Sequence, residues 1–317
     1  MVGSAQPVLR YEFIPLSECE MCGSHRHKLL GMRLNRSQGR SPRAVSGIAV
    51  GIKKCLDCEL VFADPRPKPA NLSDHYGVPP ESYWTNPAQW EVPDSYFVRE
   101  ISEAKALIRF RPGMTALDVG AGLGMGMTAL ARAGFDVCGI EPSETFRARA
   151  IERMGIAADR LQLASVEDAT YAADTFDLVT FGAVLEHLQE PGRCIARAMQ
   201  WLKPGGVMQA EVPSSRWVVD KLANLFFFAH GLNYVSNLSP MHPPYHLYSF
   251  TPESFRKHAQ RVGYEVVQHR IEVCTLYNVP GFLHPLLRSY MRATQTGMQL
   301  TVWLRKRPYS DVPVRAG

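Results

Sequence analysis

Two groups of residues have the types and spacing to do chemistry. The first is a pair of C-x-x-C elements, Cys19/Cys22 and Cys55/Cys58. Each can sit on a tight knuckle with both thiolates on one side, and two knuckles complete a tetrahedral Zn²⁺ shell. Four thiolates leave no open position, so the metal is expected to hold structure and do no chemistry. His25 and His27 lie close enough to substitute, but the shell is already filled. Cys138, Cys194 and Cys274 stand among apolar neighbours and read as core. The second group is the run "LDVGAGLGMG", residues 117–126. A strand that ends at Asp118, with glycines at 120, 122 and 124, makes a bend whose backbone can lie flat against a ligand before a helix begins. Dinucleotide enzymes space such glycines G-x-G-x-x-G. Here the spacing is G-x-G-x-G, so the loop alone does not settle the ligand. Glu141 follows Gly120 by 21 residues, at the end of a second strand. A carboxylate there can accept charge-assisted hydrogen bonds from both hydroxyls of a ribose.

The elements that must position these groups follow from periodicity. Residues 95–110 form an amphipathic pattern with Phe97, Ile101, Ala104, Leu107 and Ile108 on one face. Strands and helices then alternate, which predicts a parallel sheet covered on both sides. "TALDVG", "DVCGIEP", "RLQLASV", "FDLVTFGAV" and "GVMQAEVP" read as strands one to five. The fourth is almost wholly apolar and therefore central. Ser143 and Thr251 are N-cap residues, with Pro252 at the first helical position. "YEVVQHRIEVC" and "MQLTVWLRKR" close the chain as strands joined through a helical excursion at 279–293. Residues 64–95 read as a connector, with a short helix at 69–76. An insertion covers about 214–250. Within it the helical face of Trp217, Leu222, Leu225, Phe226 and Ala229 is expected to pack on the core. The alternative is a greasy lid over an acceptor with an apolar tail, or a membrane-surface contact.

Composition sets limits. With 46% hydrophobic and 21% charged residues the chain reads as a folded globular protein. No basic start followed by an apolar stretch opens it, and no run approaches the roughly 18 apolar residues of a spanning helix. A cytoplasmic location is the simplest expectation. The net charge is +5, and the segment from Met21 to Leu56 has eight basic and no acidic residues. It predicts a mobile polar loop between the cysteine pairs (24–54), either offsetting the thiolates or docking an anion such as nucleic acid or a phosphate.

"LDVGAGLG", "GIEPS", "ASVEDA", "FDLVTFGAVLEHL" and "LKPGG" stand in the order and spacing of the class I S-adenosylmethionine-dependent methyltransferases, which residues 114–307 resemble. The resemblance implies an α/β fold: a Rossmann-like, seven-stranded, mostly parallel sheet with an antiparallel C-terminal hairpin. A small N-terminal zinc-ribbon module precedes it. On this reading residues 1–63 are the zinc-binding module, 64–110 a connector with a helix, and 111–317 the methyltransferase domain. It further implies S-adenosylmethionine as cofactor. Asp118, Gly120, Ala121, Gly122 and Gly124 would cradle the methionine portion, and Glu141 with Pro142 the ribose. Val166 and Glu167 would flank the adenine, and Phe181, Gly182 and Ala183 the sulfonium. The N-terminal "CEMCGS…KKCLDCELVFADPRPKPANLSDHYG…ESYW" resembles the zinc module of methyltransferases acting on sugars, glycans and natural products. The acceptor implied is a small molecule or glycan, methylated on a hydroxyl or, as the variant, on carbon, with a phosphate or lipid tail as further variants.

His242-Pro243-Pro244-Tyr245 looks like the Asn/Asp-Pro-Pro-Tyr element of amino-group methyltransferases. That element ends the fourth strand, whereas this one comes some sixty residues later and lacks the side-chain carbonyl. Amine methylation is therefore disfavoured. The neighbouring "HLYSFTPESF" falls where this fold builds a lid, and a hydroxyl acceptor needs a base. His246 is the first candidate base and His187, in "LEHL", the second; Tyr248 is an accessory candidate. The rival readings are an RNA methyltransferase gripping phosphates with its basic segment, and a non-catalytic cofactor-binding scaffold.

Overall fold

The computed structural model describes residues 11–36, 47–71, 91–274, 276 and 280–308. Five strands come first: β1 (Tyr11–Ile14), β2 (His27–Leu34), β3 (Ala49–Cys55), β4 (Val61–Asp64) and β5 (Arg66–Pro69). Helix α1 (Val98–Ile108) follows, with Ala104 buried and Ile101, Leu107 and Ile108 packed beside it as the periodicity predicts. Then strands and helices alternate: β6 (Thr115–Val119), α2 (Met125–Arg132), β7 (Asp136–Glu141), α3 (Glu144–Met154), β8 (Leu161–Leu163), β9 (Phe176–Gly182), α4 (Pro191–Trp201) and β10 (Leu202–Pro213). The insertion contains α5 (Val218–Ala229) and ends in β11 (Tyr248–Ser249). The chain closes with α6 (Pro252–Val262), β12 (Tyr264–Glu272), α7 (His284–Thr294) and β13 (Gln299–Lys306).

The main sheet has seven strands in the order β12-β13-β10-β9-β6-β7-β8. Strands β6 to β10 run parallel, and β13 is antiparallel to both β10 and β12. The order reverses between β6 and β9, so the loops after these two strands open a crevice at the carboxyl edge, where ligands of such sheets bind. Helix α3 starts as expected, with Ser143 accepting from the Phe146 amide at 3.4 Å. Thr251 caps α6, and its partner in the capping box is Ser254. Among the described residues no helix is long and apolar enough to cross a membrane.

A second sheet, order β11-β4-β3-β2, joins the N-terminal strands to the end of the insertion. In the stretch between the cysteine pairs, expected to be a mobile loop, the described residues instead form largely the hairpin of β2 and β3. Its strand character is masked in sequence because Lys and Arg supply aliphatic stems at strand positions, while Gly31 and Gly51 interrupt the alternation. Of the six cations among the described residues of this stretch, three are neutralised: Arg26 pairs with Asp57, Lys53 with Asp64, and Lys54 with Glu59. Residues 37–46, with Arg40 and Arg43, and most of the short helix expected at 69–76 lie outside the described residues. Pro69 itself ends β5.

One hydrophobic core runs through both sheets. Cys19, Met21, Cys55, Cys58 and Leu60 pack in the same cluster as Phe181, Leu185, Phe250 and Phe255. A further cluster joins Val50, Ile52 and Val61 to Val235, Leu238 and Met241 of the insertion. The contact is close enough to need a glycine: a Cβ on Gly192 of α4 would lie 2.4 Å from the Glu20 carbonyl oxygen.

Candidate active site

The cofactor side is assembled from the loop after β6 and the end of β7. Gly120 adopts φ 67°, and a Cβ there would lie 2.6 Å from Val184 Cγ2, so the bend requires glycine and packs on the segment after β9. Asp118 lies buried beneath the loop. Its carboxylate accepts from Thr180 Oγ1 at 2.7 Å, and burial raises its pKa to about 6. Glu141 is 7% exposed. One carboxylate oxygen accepts from the Gly122 amide and the other from the Ser143 amide, each at 2.8 Å. Burial raises its pKa, and these two amides oppose the rise by favouring the charged form. Each oxygen keeps a further acceptor direction for a ribose hydroxyl.

The space beside this loop suits the expected cofactor. A Cβ on Gly182 would meet no atom within 4 Å, and one on Gly122 only Phe146 at 4.0 Å. Ala183 is exposed at the mouth, and Val166 is buried with exposed Glu167 beside it. Ala121 and Gly124 are buried parts of the bend, and Pro142 is exposed next to Glu141. Phe181 differs from the others: it is fully buried in the core cluster and offers no surface to a ligand.

The four cysteines suit zinc. One sulfur from each of Cys19, Cys22, Cys55 and Cys58 lies within 4.8 Å of the others. Cys19 and Cys58 are separated by 3.5 Å, as are Cys22 and Cys55. Zn–S bonds of about 2.3 Å in a tetrahedron separate sulfurs by just under 4 Å. The expected bystanders stay out: His25 Nδ1 contacts the Ser17 carbonyl at 2.8 Å and His27 Nε2 the Ser24 carbonyl at 2.7 Å.

Beside the cofactor side is a cavity of about 420 Å³, the candidate acceptor site, lined by Ala183, Glu186, Glu211, Trp217 and His246 and by a polar wall that includes Arg33, Asp220, Ser236, Ser239 and His242. The two histidine rings come together, His187 meeting His246 edge to face with centroids 5.0 Å apart. Only His246 lines the cavity. Burial, and then His187, press the His246 pKa down to about 3, so its imidazole is neutral. Glu186 was missed in the sequence. Its carboxylate is 3.9 Å from His246 Nε2 and 1% exposed. Its Oε2 has no hydrogen-bond partner, and burial raises its pKa to about 8. The sequence signal was available, as a carboxylate directly before the candidate histidine in "LEHL". Glu186, His187 and His246 also place one ligand atom each within 4.8 Å of the others.

Tyr248 does not join them. It is 1% exposed, accepts from Arg66 Nη1 at 2.8 Å and donates to the Gln189 carbonyl at 3.0 Å. Its hydroxyl ties β11 to β5 and to the segment after β9, so it has no access to an acceptor. The insertion helix also departs from expectation. Leu222, Leu225 and Phe226 are exposed and Phe227 is buried. Asp220 and Asn224 turn inward instead, Asp220 accepting from Ser236 Oγ and Asn224 from the Ser236 amide, each at 2.8 Å. A helix that is apolar on nearly every side gives periodicity little to choose between.

The N-terminal sheet holds this side in place. β4 pairs with β11 through Phe62 and Val61, and the Ala63 amide donates to the Leu247 carbonyl at 3.0 Å. The Leu247 amide in turn donates to the Glu186 carbonyl at 2.8 Å. His246 is therefore fixed between a zinc-side strand and the residues that carry Glu186.

A family model described as "Methyltransferase domain" matches residues 95–269. The ubiquinone biosynthesis O-methyltransferase of Methylococcus capsulatus is 35% identical over 99 residues, which are 30% of this chain and 42% of that protein. The protein of the same name from Azoarcus sp. is 26% identical over 201 residues, covering 61% of this chain and 78% of its own. The chain thus spans less than half the length of the first of these relatives. Among solved structures, a SAM-dependent methyltransferase from Archaeoglobus fulgidus superimposes with a TM-score of 0.48 at 14% identity, over 71% of this chain and 97% of that one.

Proposed function

The chain belongs to the methyltransferase-domain family, and from that premise we propose that it methylates a hydroxyl of a small organic acceptor, sugar-like or phenolic, using S-adenosylmethionine. The observation that carries the hydroxyl reading is a neutral imidazole, His246, on the cavity wall with a buried carboxyl beside it. The naming of the relatives as O-methyltransferases agrees with it. S-adenosylmethionine, when bound, supplies a methyl on a sulfonium that is already electrophilic. Glu141 and the Gly120–Gly124 bend would hold it, with Gly182 and Ala183 beside the reacting end. What remains for the protein is to orient the acceptor and take its proton.

His246 is assigned the proton. A histidine whose conjugate acid sits near 3 is a weak base by itself. An ionised Glu186 at 3.9 Å would stabilise the imidazolium and raise that basicity. The competent form therefore has Glu186 deprotonated, and the rate is expected to rise with pH through about 8. His187 orients the His246 ring. Zn²⁺ in the four-cysteine site would complete a closed shell and fix the two knuckles. The functional division proposed is a zinc-binding part at 1–63, a connector at 64–110 and a methyltransferase part at 111–317, with the acceptor lid at about 214–250.

The rival RNA reading is weakened by the pairing of Arg26, Lys53 and Lys54 with carboxylates, which leaves less free charge for phosphates. Calorimetry with S-adenosylmethionine, followed by methyl-transfer assays across ionic strength, tests the proposal. Cofactor binding with salt-insensitive transfer to a small hydroxyl compound is expected. Failure to bind the cofactor would overturn the assignment, and activity that collapses steeply with salt would favour RNA.

A further inference from the structure

Arg33 lies in the hairpin of the zinc-side sheet, far in sequence from every other cavity residue, yet it lines the acceptor cavity. It is a half-buried cation with no salt-bridge partner among the described residues, Asp220 acting on it only at longer range. Its two terminal nitrogens make one long contact each, Nη1 donating to the Val235 carbonyl at 3.3 Å and Nη2 meeting His242 Nε2 at 3.2 Å. Nε has no partner. A guanidinium has five N–H donors and accepts nothing, so most of its hydrogen-bonding capacity is unspent. Because Arg33 can only donate, His242 Nε2 is the acceptor in that contact. The neutral ring's proton is then on Nδ1, which also lacks a partner. Burial depresses the pKa of both groups, with Arg33 adding to the fall at His242 and Asp220 opposing it at Arg33.

We propose that Arg33 reads the acceptor and that the acceptor carries a carboxylate, seated against the guanidinium on the wall shared with His242. This inference rests on the hydroxyl-methylation reading of the same cavity. A planar carboxylate matches the fork of an arginine. A neutral polyol would meet those donors only with weaker, uncharged hydrogen bonds. A phosphate dianion is disfavoured, because Asp220 lines the same wall and Glu186 and Glu211 line the same cavity.

The test uses the full zinc-loaded chain saturated with S-adenosylhomocysteine. Calorimetry with D-glucuronate and benzoate is set against their neutral counterparts, D-glucose and benzyl alcohol, and against inorganic phosphate. At least one carboxylate is expected to bind about tenfold or more tighter than its neutral counterpart, as for a charge-assisted bidentate contact. Arg33→Met should abolish the preference and Arg33→Lys retain only part of it. Unchanged S-adenosylhomocysteine affinity in both variants shows that they fold. A preference that survives in Arg33→Met, no preference in the wild type, or a stronger preference for phosphate would each overturn the proposal. Loss of S-adenosylhomocysteine binding in the wild type would instead overturn the methyl-transfer reading and leave the carboxylate result to stand by itself.

Discussion

The two halves of the candidate site are built in opposite ways. The cofactor half is centred on one run of chain, Asp118 to Glu141, on neighbouring parallel strands of the main sheet. The acceptor half takes Arg33 from the zinc-side hairpin, Glu186 and His187 from the segment after β9, and His242 and His246 from the insertion. Its walls are brought together by the pairing of β4 with β11, by the hydrogen bonds of Met32 to Asn233 and Val235, and by the apolar cluster beneath them. A short-range design is stable wherever its sheet is stable. A long-range one depends on each docking contact, and that makes the acceptor half the more vulnerable.

The largest effect should come from the metal. Cys58→Ser, or removal of zinc by a chelator, is expected to abolish methyl transfer while leaving S-adenosylhomocysteine affinity within about threefold. Metal content and calorimetry on the same sample check it. Cys58 also packs in the core shared with Phe255, and its carbonyl accepts from Thr251 and Ser254, each at 3.1 Å. If cofactor binding disappears together with transfer, the two halves are one folding unit and the contrast fails.

Next in size is the base. His246→Ala should reduce the methyl-transfer rate by about 10²–10⁴ without changing cofactor affinity. An unchanged rate would move the assignment to His187. In Glu186→Gln the rise in rate through about pH 8 should vanish from the pH profile. Stability offers a second readout of the same carboxyl. Its folded pKa lies above the ordinary 4.5, so folding binds the proton more tightly and stability falls as pH rises from about 4.5 to 8. Thermal melts of Glu186→Gln should show a shallower decline over that window.

The smallest effect probes the docking of the zinc module itself. Gly192→Ala places a Cβ 2.4 Å from the Glu20 carbonyl oxygen and 3.2 Å from His258 Nε2, so one element must shift. A cost of about 1–3 kcal/mol is expected, as for other overpacked sites. A lowered melting temperature with weaker acceptor turnover and intact cofactor binding would sharpen the contrast between the halves.

What sequence reading recovered and what it missed follow this same division. The glycine bend, Glu141, the cysteine pairs and the caps at Ser143 and Thr251 are each stated within a few residues of chain, and each was legible. Arg33 was one of eight cations in a polar stretch, with nothing local to distinguish it. Tyr248 stood two residues from His246 and looked like its companion, but a tertiary partner, Arg66, claimed its hydroxyl. The exposed face of α5 was misassigned because Phe226, Phe227 and Phe228 offer periodicity no contrast.

From its amino acids alone this chain specified a methyltransferase-like sheet, a zinc-competent set of thiolates and a place for the cofactor. These depend on bends, caps and ligand spacings that act over short stretches. Which candidate histidine faces the cavity, that a carboxyl backs it, and that the N-terminal segment supplies an arginine to the cavity wall were decided only by the tertiary structure. Those features arise where strands far apart in sequence pair, and the energy of such pairing belongs to the whole core that holds them.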